Sequence, residues 1–95
     1  MAIIISEKIL KKITDEKHSV SRREVEQCFE NIDGSFLTDT REDHVTNPVT
    51  LWFVAPTNKN RLLKIMFVFD NGDFYLKSAY DATDEIVRIY NKFKA

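Results

Sequence analysis

The fold is decided by the stretch Arg61–Tyr80, RLLKIMFVFDNGDFYLKSAY, in which two apolar runs flank the dipeptide Asn71-Gly72. Asn-Gly is the strongest short-range hairpin signal, because both central residues of a type I′ turn need a positive φ. A turn at this dipeptide predicts two antiparallel strands that begin pairing at Asp70 and Asp73. The same register is expected to continue to the far ends of both strands.

This register gives the predicted hairpin two different faces. One face is apolar and is expected to be core: Leu63, Ile65, Phe67, Phe69, Phe74, Leu76, Ser78 and Tyr80. The other face is mixed: Lys64, Met66, Val68, Tyr75, Lys77 and Ala79. Lys64 and Lys77 take diagonal positions there, where their charges repel unless an anion lies between them. The mixed face is therefore the candidate functional surface, although both lysines are also explained as solubilising residues whose stems cover apolar neighbours.

The rest of the chain predicts helices on either side of a β-meander. In chain order we expect a helix from Ser6 to about His18, a helix from Ser21 to Asn31, a short strand Phe36–Thr38, a strand Thr50–Ala55, the two hairpin strands and a helix beginning at Thr83. The second helix has the strongest start signal, a capping box formed by Ser21 and Glu24. The prediction is one α+β domain over residues 1–95: two N-terminal helices, an antiparallel meander of three to four strands and a C-terminal helix, with the helices covering one sheet face.

Composition excludes several classes of protein. The 95 residues are 43% hydrophobic and 31% charged, with a net charge of −1, which is far less basic than a dedicated duplex DNA binder. Cys28 is the only cysteine, so an internal disulfide is excluded and a reducing compartment is favoured. The apolar start of the chain is too short for a signal peptide or a membrane span, so we expect a cytoplasmic protein without membrane contact.

Metal and cofactor chemistry find little support in the sequence. Asp39, Glu42, Asp43 and His44 offer ligands for a divalent ion, but a solvated acidic loop explains them better and no metal site is predicted. The chain contains only two glycines and no phosphate-binding glycine loop, so no nucleotide cofactor is expected.

What remains is a set of basic, imidazole and phenolic side chains: Lys17, His18, Arg41, His44, Arg61, Lys64, Tyr75, Lys77 and Tyr80. Such groups suffice for RNA cleavage without metal, in which the ribose 2′-hydroxyl attacks the adjacent phosphate. Lysine and arginine stabilise the developing negative charge, and histidine or tyrosine moves protons. The alternatives are purely structural roles. Lys17 and His18 are then cations near a helix C-terminus, and Tyr80 is a core aromatic.

Three segments carry a resemblance to a known family. Lys17-His18-Ser19-Val20-Ser21 with the following Glu24-Val25-Glu26 and Phe29 resembles the KHGVS…EEA…VF segment of BrnT-type toxins. Asn60–Ile65 resembles their GR-L-VV strand, and Lys77–Tyr80 with Ala82, Thr83, Glu85 and Tyr90 resembles their ISAR-AT-E-Y ending. The segments follow in the family's order and together span most of the chain.

The resemblance implies a RelE-like ribonuclease fold and the toxin role of a bacterial type II toxin–antitoxin pair. It implies an RNA substrate, a cognate antitoxin as protein partner, and a homodimer or a toxin–antitoxin hetero-oligomer. Carried over by position, Lys17, His18 and Arg61 fall on the family's basic residues, whereas Tyr80 replaces its arginine and Ser19 its glycine.

We accordingly assign expected roles to these residues. The expected catalytic residues are Lys17, His18, Arg61, Lys77 and Tyr80, with Arg61 and Lys77 stabilising phosphate charge; the expected RNA-binding residues are Arg41, His44, Lys64 and Tyr75. The alternative function is a non-catalytic protein-binding module with a toxin-like fold, which the replacement of the family arginine by Tyr80 favours.

Overall fold

In the computed structural model, which describes residues 2–40 and 47–95, three helices accompany a five-stranded sheet. In chain order the elements are β1 Ile3–Ile4, α1 Glu7–Thr14, α2 Arg22–Asn31, β2 Leu37–Thr38, β3 Thr50–Pro56, β4 Leu62–Asp70, β5 Asp73–Asp81 and α3 Asp84–Phe93. The predicted α+β class is confirmed. Among the described residues, none of these helices has the length and apolarity needed to cross a bilayer.

The sheet is mixed, with strand order β1-β5-β4-β3-β2. Strands β2 to β5 pair antiparallel in sequence order, which is the predicted meander. Strand β1, which adds to β5 in parallel, was not predicted from the sequence. A strand of two residues is too short for hydrophobic alternation to identify, and only pairing with a distant strand defines it.

Local signals place the helix starts correctly. Ser6 and Thr83 accept hydrogen bonds from the backbone N–H three residues later, and Ser21 and Glu24 form the predicted capping box. The first helix ends earlier than expected, at Thr14, because the chain leaves it in a turn that runs to Ser19.

The hairpin register is correct near the turn and wrong beyond it. Asn71 and Gly72 both have positive φ, and the pairs from Asp70–Asp73 to Phe67–Leu76 are as predicted. A β-bulge then follows, since Phe67 pairs with Leu76 while Met66 pairs with Ser78, which leaves Lys77 as the extra residue. One extra residue shifts every later partner.

The corrected register changes the composition of both sheet faces. Phe53, Ile65, Phe67 and Ala79, which we call the core face, are all completely buried. Trp52, Lys64, Met66 and Tyr80, which we call the Lys64 face, lie on the other side, because alternate residues of a strand point to opposite faces. Ala79 has therefore moved to the core, and Tyr80 and Ser78 have moved away from it.

The helices cover both faces, which corrects the prediction that they cover one. Phe29 of α2 packs against Phe53 and Phe67 of the core face, with ring centroids 4.9 and 5.3 Å apart. Tyr90 of α3 packs instead against Trp52, at 5.8 Å, so α3 lies on the Lys64 face. Among the described residues, α3 covers this face along its β3 side, where it makes most of its sheet contacts.

Candidate active site

The turn after α1 holds His18 in a defined orientation. The Asp15 carboxylate accepts from the backbone N–H of His18 and lies 2.8 Å from its ring Nδ1. A carboxylate only accepts hydrogen bonds, so Nδ1 carries the proton of this contact and a neutral ring keeps its lone pair on Nε2. This hydrogen bond from the His18 ring holds the pKa of Asp15 below its usual value. The pair thus has the orientation that a general base requires.

His18 stands beside a row of side chains that crosses the Lys64 face. Its ring centroid lies 6.1 Å from that of Tyr80, and the Lys64 ammonium lies 5.9 Å from the Tyr80 ring centre. We call these three residues the His18–Lys64 row. The row places an imidazole, a phenol and an ammonium next to one another, which are groups that move protons and stabilise anions.

Lys64 is buried to an unusual degree for a lysine. Only 8% of the residue is exposed, and its ammonium lies 4.7 Å from the ring centre of Trp52 as well as near Tyr80. Cation–π contacts of this kind contribute about 0.5–2 kcal/mol each, depending on how far they are removed from water. Lysine is almost never buried in a protein without such partners.

Arg61 has a different environment from the one predicted for it. Its Nε and Nη2 donate to both carboxylate oxygens of Asp81, at 2.7 and 3.1 Å, and its Nη1 donates to Glu24. The remaining N–H groups donate to the backbone carbonyls of His18 and Ser19, each at 2.8 Å. All five N–H donors of the guanidinium are therefore occupied by acceptors of this chain. Arg61 thus links α2, β5 and the His18 turn.

The electrostatics of this network agree with its geometry. The Arg61 hydrogen bonds hold the pKa of Asp81 below its usual value. Partial burial opposes the same change at Glu24, but hydrogen bonds from Ser21 and Arg61 outweigh it, and the pKa of Glu24 is also lowered. The pKa of Arg61 is raised, chiefly by Asp81. The guanidinium charge is thus already matched by carboxylates.

Of the other predicted site residues that the structure describes, Tyr75 and Lys77 lie away from the His18–Lys64 row. Lys17 is exposed in the turn after α1. Lys77 in the bulge and Tyr75 are also exposed, toward the turn end of the hairpin, and Lys77 is three residues, or about 10 Å, along β5 from Tyr80. Arg41 and His44 lie outside the described residues. The structure therefore brings together His18, Tyr80 and Lys64, with the Arg61 network beneath the His18 turn.

Two partners in this region, Asp15 and Trp52, were not predicted from the sequence. Asp15 lies three residues before His18, a spacing that could have been noticed as a side-chain pair across one turn. Trp52 has no such local signal, because its place beside Lys64 depends on the β3–β4 register. Cys28 is not a candidate nucleophile, since burial raises its thiol pKa to about 12.

The chain matches no protein-family model, no curated protein and no solved structure. Among residues 2–40 and 47–95, no three His, Cys, Asp or Glu side chains are grouped so as to hold a metal ion.

Proposed function

We propose that this protein is a metal-independent endoribonuclease that acts as the toxin of a type II toxin–antitoxin pair and arrests growth. The observation that carries the proposal is the Asp15-oriented imidazole of His18 next to Tyr80 and Lys64. The resemblance of three segments to BrnT-type toxins supports the same function. The proposed partner is a cognate antitoxin that covers the Lys64 face, and the proposed compartment is the cytoplasm.

In the proposed reaction, His18 Nε2 takes the proton of a ribose 2′-hydroxyl. The 2′-oxygen then forms a bond to the adjacent phosphorus, and the bond from phosphorus to the 5′-oxygen breaks. Lys64 stabilises the negative charge on the phosphorane, and the Tyr80 hydroxyl protonates the departing 5′-oxygen. The products are a 2′,3′-cyclic phosphate and a 5′-hydroxyl end. Each proton transfer by a positioned side chain contributes about 10²–10⁴-fold.

Arg61 has a positioning role in this proposal rather than the phosphate-binding role predicted from the sequence. Its hydrogen bonds to the carbonyls of His18 and Ser19 fix the turn that carries the imidazole. A guanidinium that bound phosphate would first have to release Asp81, Glu24 or these carbonyls. In this proposal the phosphate charge is therefore assigned to Lys64, whose ammonium lies 5.9 Å from the Tyr80 ring centre.

The test is cleavage of single-stranded RNA by the purified chain in the presence of a metal chelator. His18→Asn keeps an amide N–H where Nδ1 donates to Asp15 but removes the base, so we expect it to lose about 100-fold or more in rate. The matched control is Lys12→Ala, an exposed cation of α1, which should cleave like the parent. Full activity of His18→Asn, or a strict magnesium requirement of the parent, contradicts the proposal.

The second candidate is a non-catalytic module that binds a protein, and one feature favours it. Phe93 and Ile89 of α3 expose 58% and 39% of their surface beside the Lys64 face, which gives α3 an apolar outer strip. Expression in cells separates the two functions. If the protein is a ribonuclease toxin, the parent arrests growth with loss of RNA integrity and His18→Asn does not. If it is a binding module, growth and RNA integrity are the same with the parent and with His18→Asn.

A further inference from the structure

One side of α3 carries a row of apolar residues that the sheet does not fully cover. Ile86, Ile89 and Phe93, which we call the α3 strip, follow one another at spacings of three and four residues. Side chains at these spacings share one face of a helix, and they form the seam between two helices that pack side by side. Phe93 is 58% exposed, more than any other large hydrophobic residue among those that the structure describes. The α3 strip thus has the pattern of a helix–helix seam but is open to solvent.

A cavity of about 520 Å³ lies beside the α3 strip, between α3 and the Lys64 face. All three residues of the strip line it, together with Leu37 and Trp52 of the sheet. The same surface therefore offers an exposed apolar side chain, that of Phe93, and an apolar hollow next to it. A surface with both features can pack against another copy of itself.

The polar groups of the cavity do not require a charged occupant. Lys64 and Asp39 both line it, but they are opposite in charge, only 8% and 6% exposed, and each has a partner within the chain. The Lys64 ammonium lies 4.7 Å from the ring centre of Trp52. Thr38 and Thr40 add neutral hydroxyl groups, and most of the remaining lining is apolar. The lining therefore fits an uncharged apolar group.

Two exposed charged residues border the α3 strip. Glu85 lies in the first turn of α3 and Lys92 in the last, and their separation of seven residues, two helical turns, places them on the same flank. The midpoint between them falls next to Ile89, the central residue of the strip. A two-fold axis at Ile89 lays a second α3 antiparallel to the first and brings Glu85 of each copy to Lys92 of the other. A parallel arrangement would bring equal charges together.

We infer that the α3 strip is the interface of a homodimer in which the two α3 helices pack antiparallel. A two-fold interface uses the same patch on both subunits, so this patch must be complementary to itself. The axis that pairs the charges also places Ile89 against its own copy and Phe93 of each copy beside Ile86 of the other, at the mouth of the cavity. This inference goes beyond the proposed function and does not rest on it.

A different protein is the competing occupant of the α3 strip. It would have to supply an apolar side chain at the cavity and opposite charges at both ends of α3. A second copy of this chain supplies all of these groups in the required order and is present at the same concentration. The self-complementary pattern therefore favours the homodimer.

Sedimentation equilibrium of the full chain, without RNA, measures the association. A contact built on one helix of ten residues is smaller than a standard protein interface, so we expect a dimer with a dissociation constant of about 1–100 μM. A chain that stays monomeric up to about 500 μM overturns the inference.

Phe93→Asp places a charge at the centre of the proposed contact and should weaken the association at least about tenfold. The matched control is Val49→Asp, which adds the same charge at an apolar position that is 46% exposed and does not line the cavity. This control should dimerise like the parent. A dimer that survives Phe93→Asp, or one that is lost equally in both variants, overturns the assignment to the α3 strip.

Charge reversal tests the second copy and its direction. Glu85→Lys and Lys92→Glu each put two pairs of equal charges into the dimer, so each variant alone should associate about tenfold more weakly than the parent. A mixture of the two variants restores opposite charges at both ends and should form a heterodimer about as stable as the parent dimer. If the mixture associates no better than the separate variants, the antiparallel homodimer is overturned.

Discussion

The two faces of the sheet differ in what they bury. The core face contains Phe53, Ile65 and Phe67, which are fully buried under α1 and α2 with other apolar side chains. The Lys64 face buries polar groups instead, among them Lys64 and Ser78, and α3 covers only part of it. Burying an ammonium costs free energy that apolar residues would not cost. The core face therefore serves stability, and the proposed function assigns the Lys64 face to RNA.

The largest expected effect is on the core face. Ile65→Ala removes a completely buried side chain, and the cavity that remains should lower the free energy of unfolding by about 2–5 kcal/mol. Leu62→Ala on the same strand is the matched control, because Leu62 is 42% exposed and should cost about 1 kcal/mol or less. Urea denaturation measures both. Equal losses from the two variants would mean that the core face is not the stabilising one.

A smaller loss is expected from the network that fastens the His18 turn. Arg61→Ala removes the guanidinium that donates to Glu24, Asp81 and two backbone carbonyls, and it should cost about 2–3 kcal/mol at neutral pH. Arg23→Ala, an exposed arginine of α2, should cost about 0.5 kcal/mol or less. A loss of RNA cleavage in Arg61→Ala without any loss of stability would contradict this structural role. Arg61 would then be assigned to phosphate binding.

The same network predicts how the stability depends on pH. The pKa values of Glu24 and Asp81 are lowered in the folded state, so the unfolded chain binds more protons in acid. The stability that these carboxylates contribute is therefore complete above the unfolded values of about 4 and is lost as the pH falls through the folded ones. The difference between the parent and Arg61→Ala should shrink below about pH 4. A difference that grows in acid would contradict this assignment.

The parts of the fold that sequence could predict are those with local signals. Asn71-Gly72 fixes its own turn through positive φ, and Ser21 with Glu24 fixes a helix start within one turn. The bulge at Lys77 has no such signal, because an extra residue is recognised only against the opposite strand. The bulge shifts the register by one residue, so Tyr80 lies opposite Lys64 and not in the predicted core.

The candidate site also contains residues that have local sequence signals and residues that are defined only by long-range contacts. His18 could be identified from residue type, and the resemblance pointed to the same position. The acceptors of Arg61 could not be read from the chain, since Glu24 and Asp81 are 37 and 20 residues away from it. Long-range contacts of this kind decide whether a cation is free to bind phosphate or is already used within the fold.

Lys64→Met tests most directly whether Lys64 acts in RNA cleavage or stabilises the fold. Methionine has a similar length and packs well against Trp52 and Tyr80, which offsets most of what the lost cation–π contacts contribute, so we expect the free energy of unfolding to fall by less than about 2 kcal/mol. RNA cleavage under the same conditions should fall about tenfold or more, equivalent to about 1.4 kcal/mol of transition-state stabilisation. A loss of stability of about 2 kcal/mol or more with unchanged cleavage would show that Lys64 holds the fold together and would contradict this account.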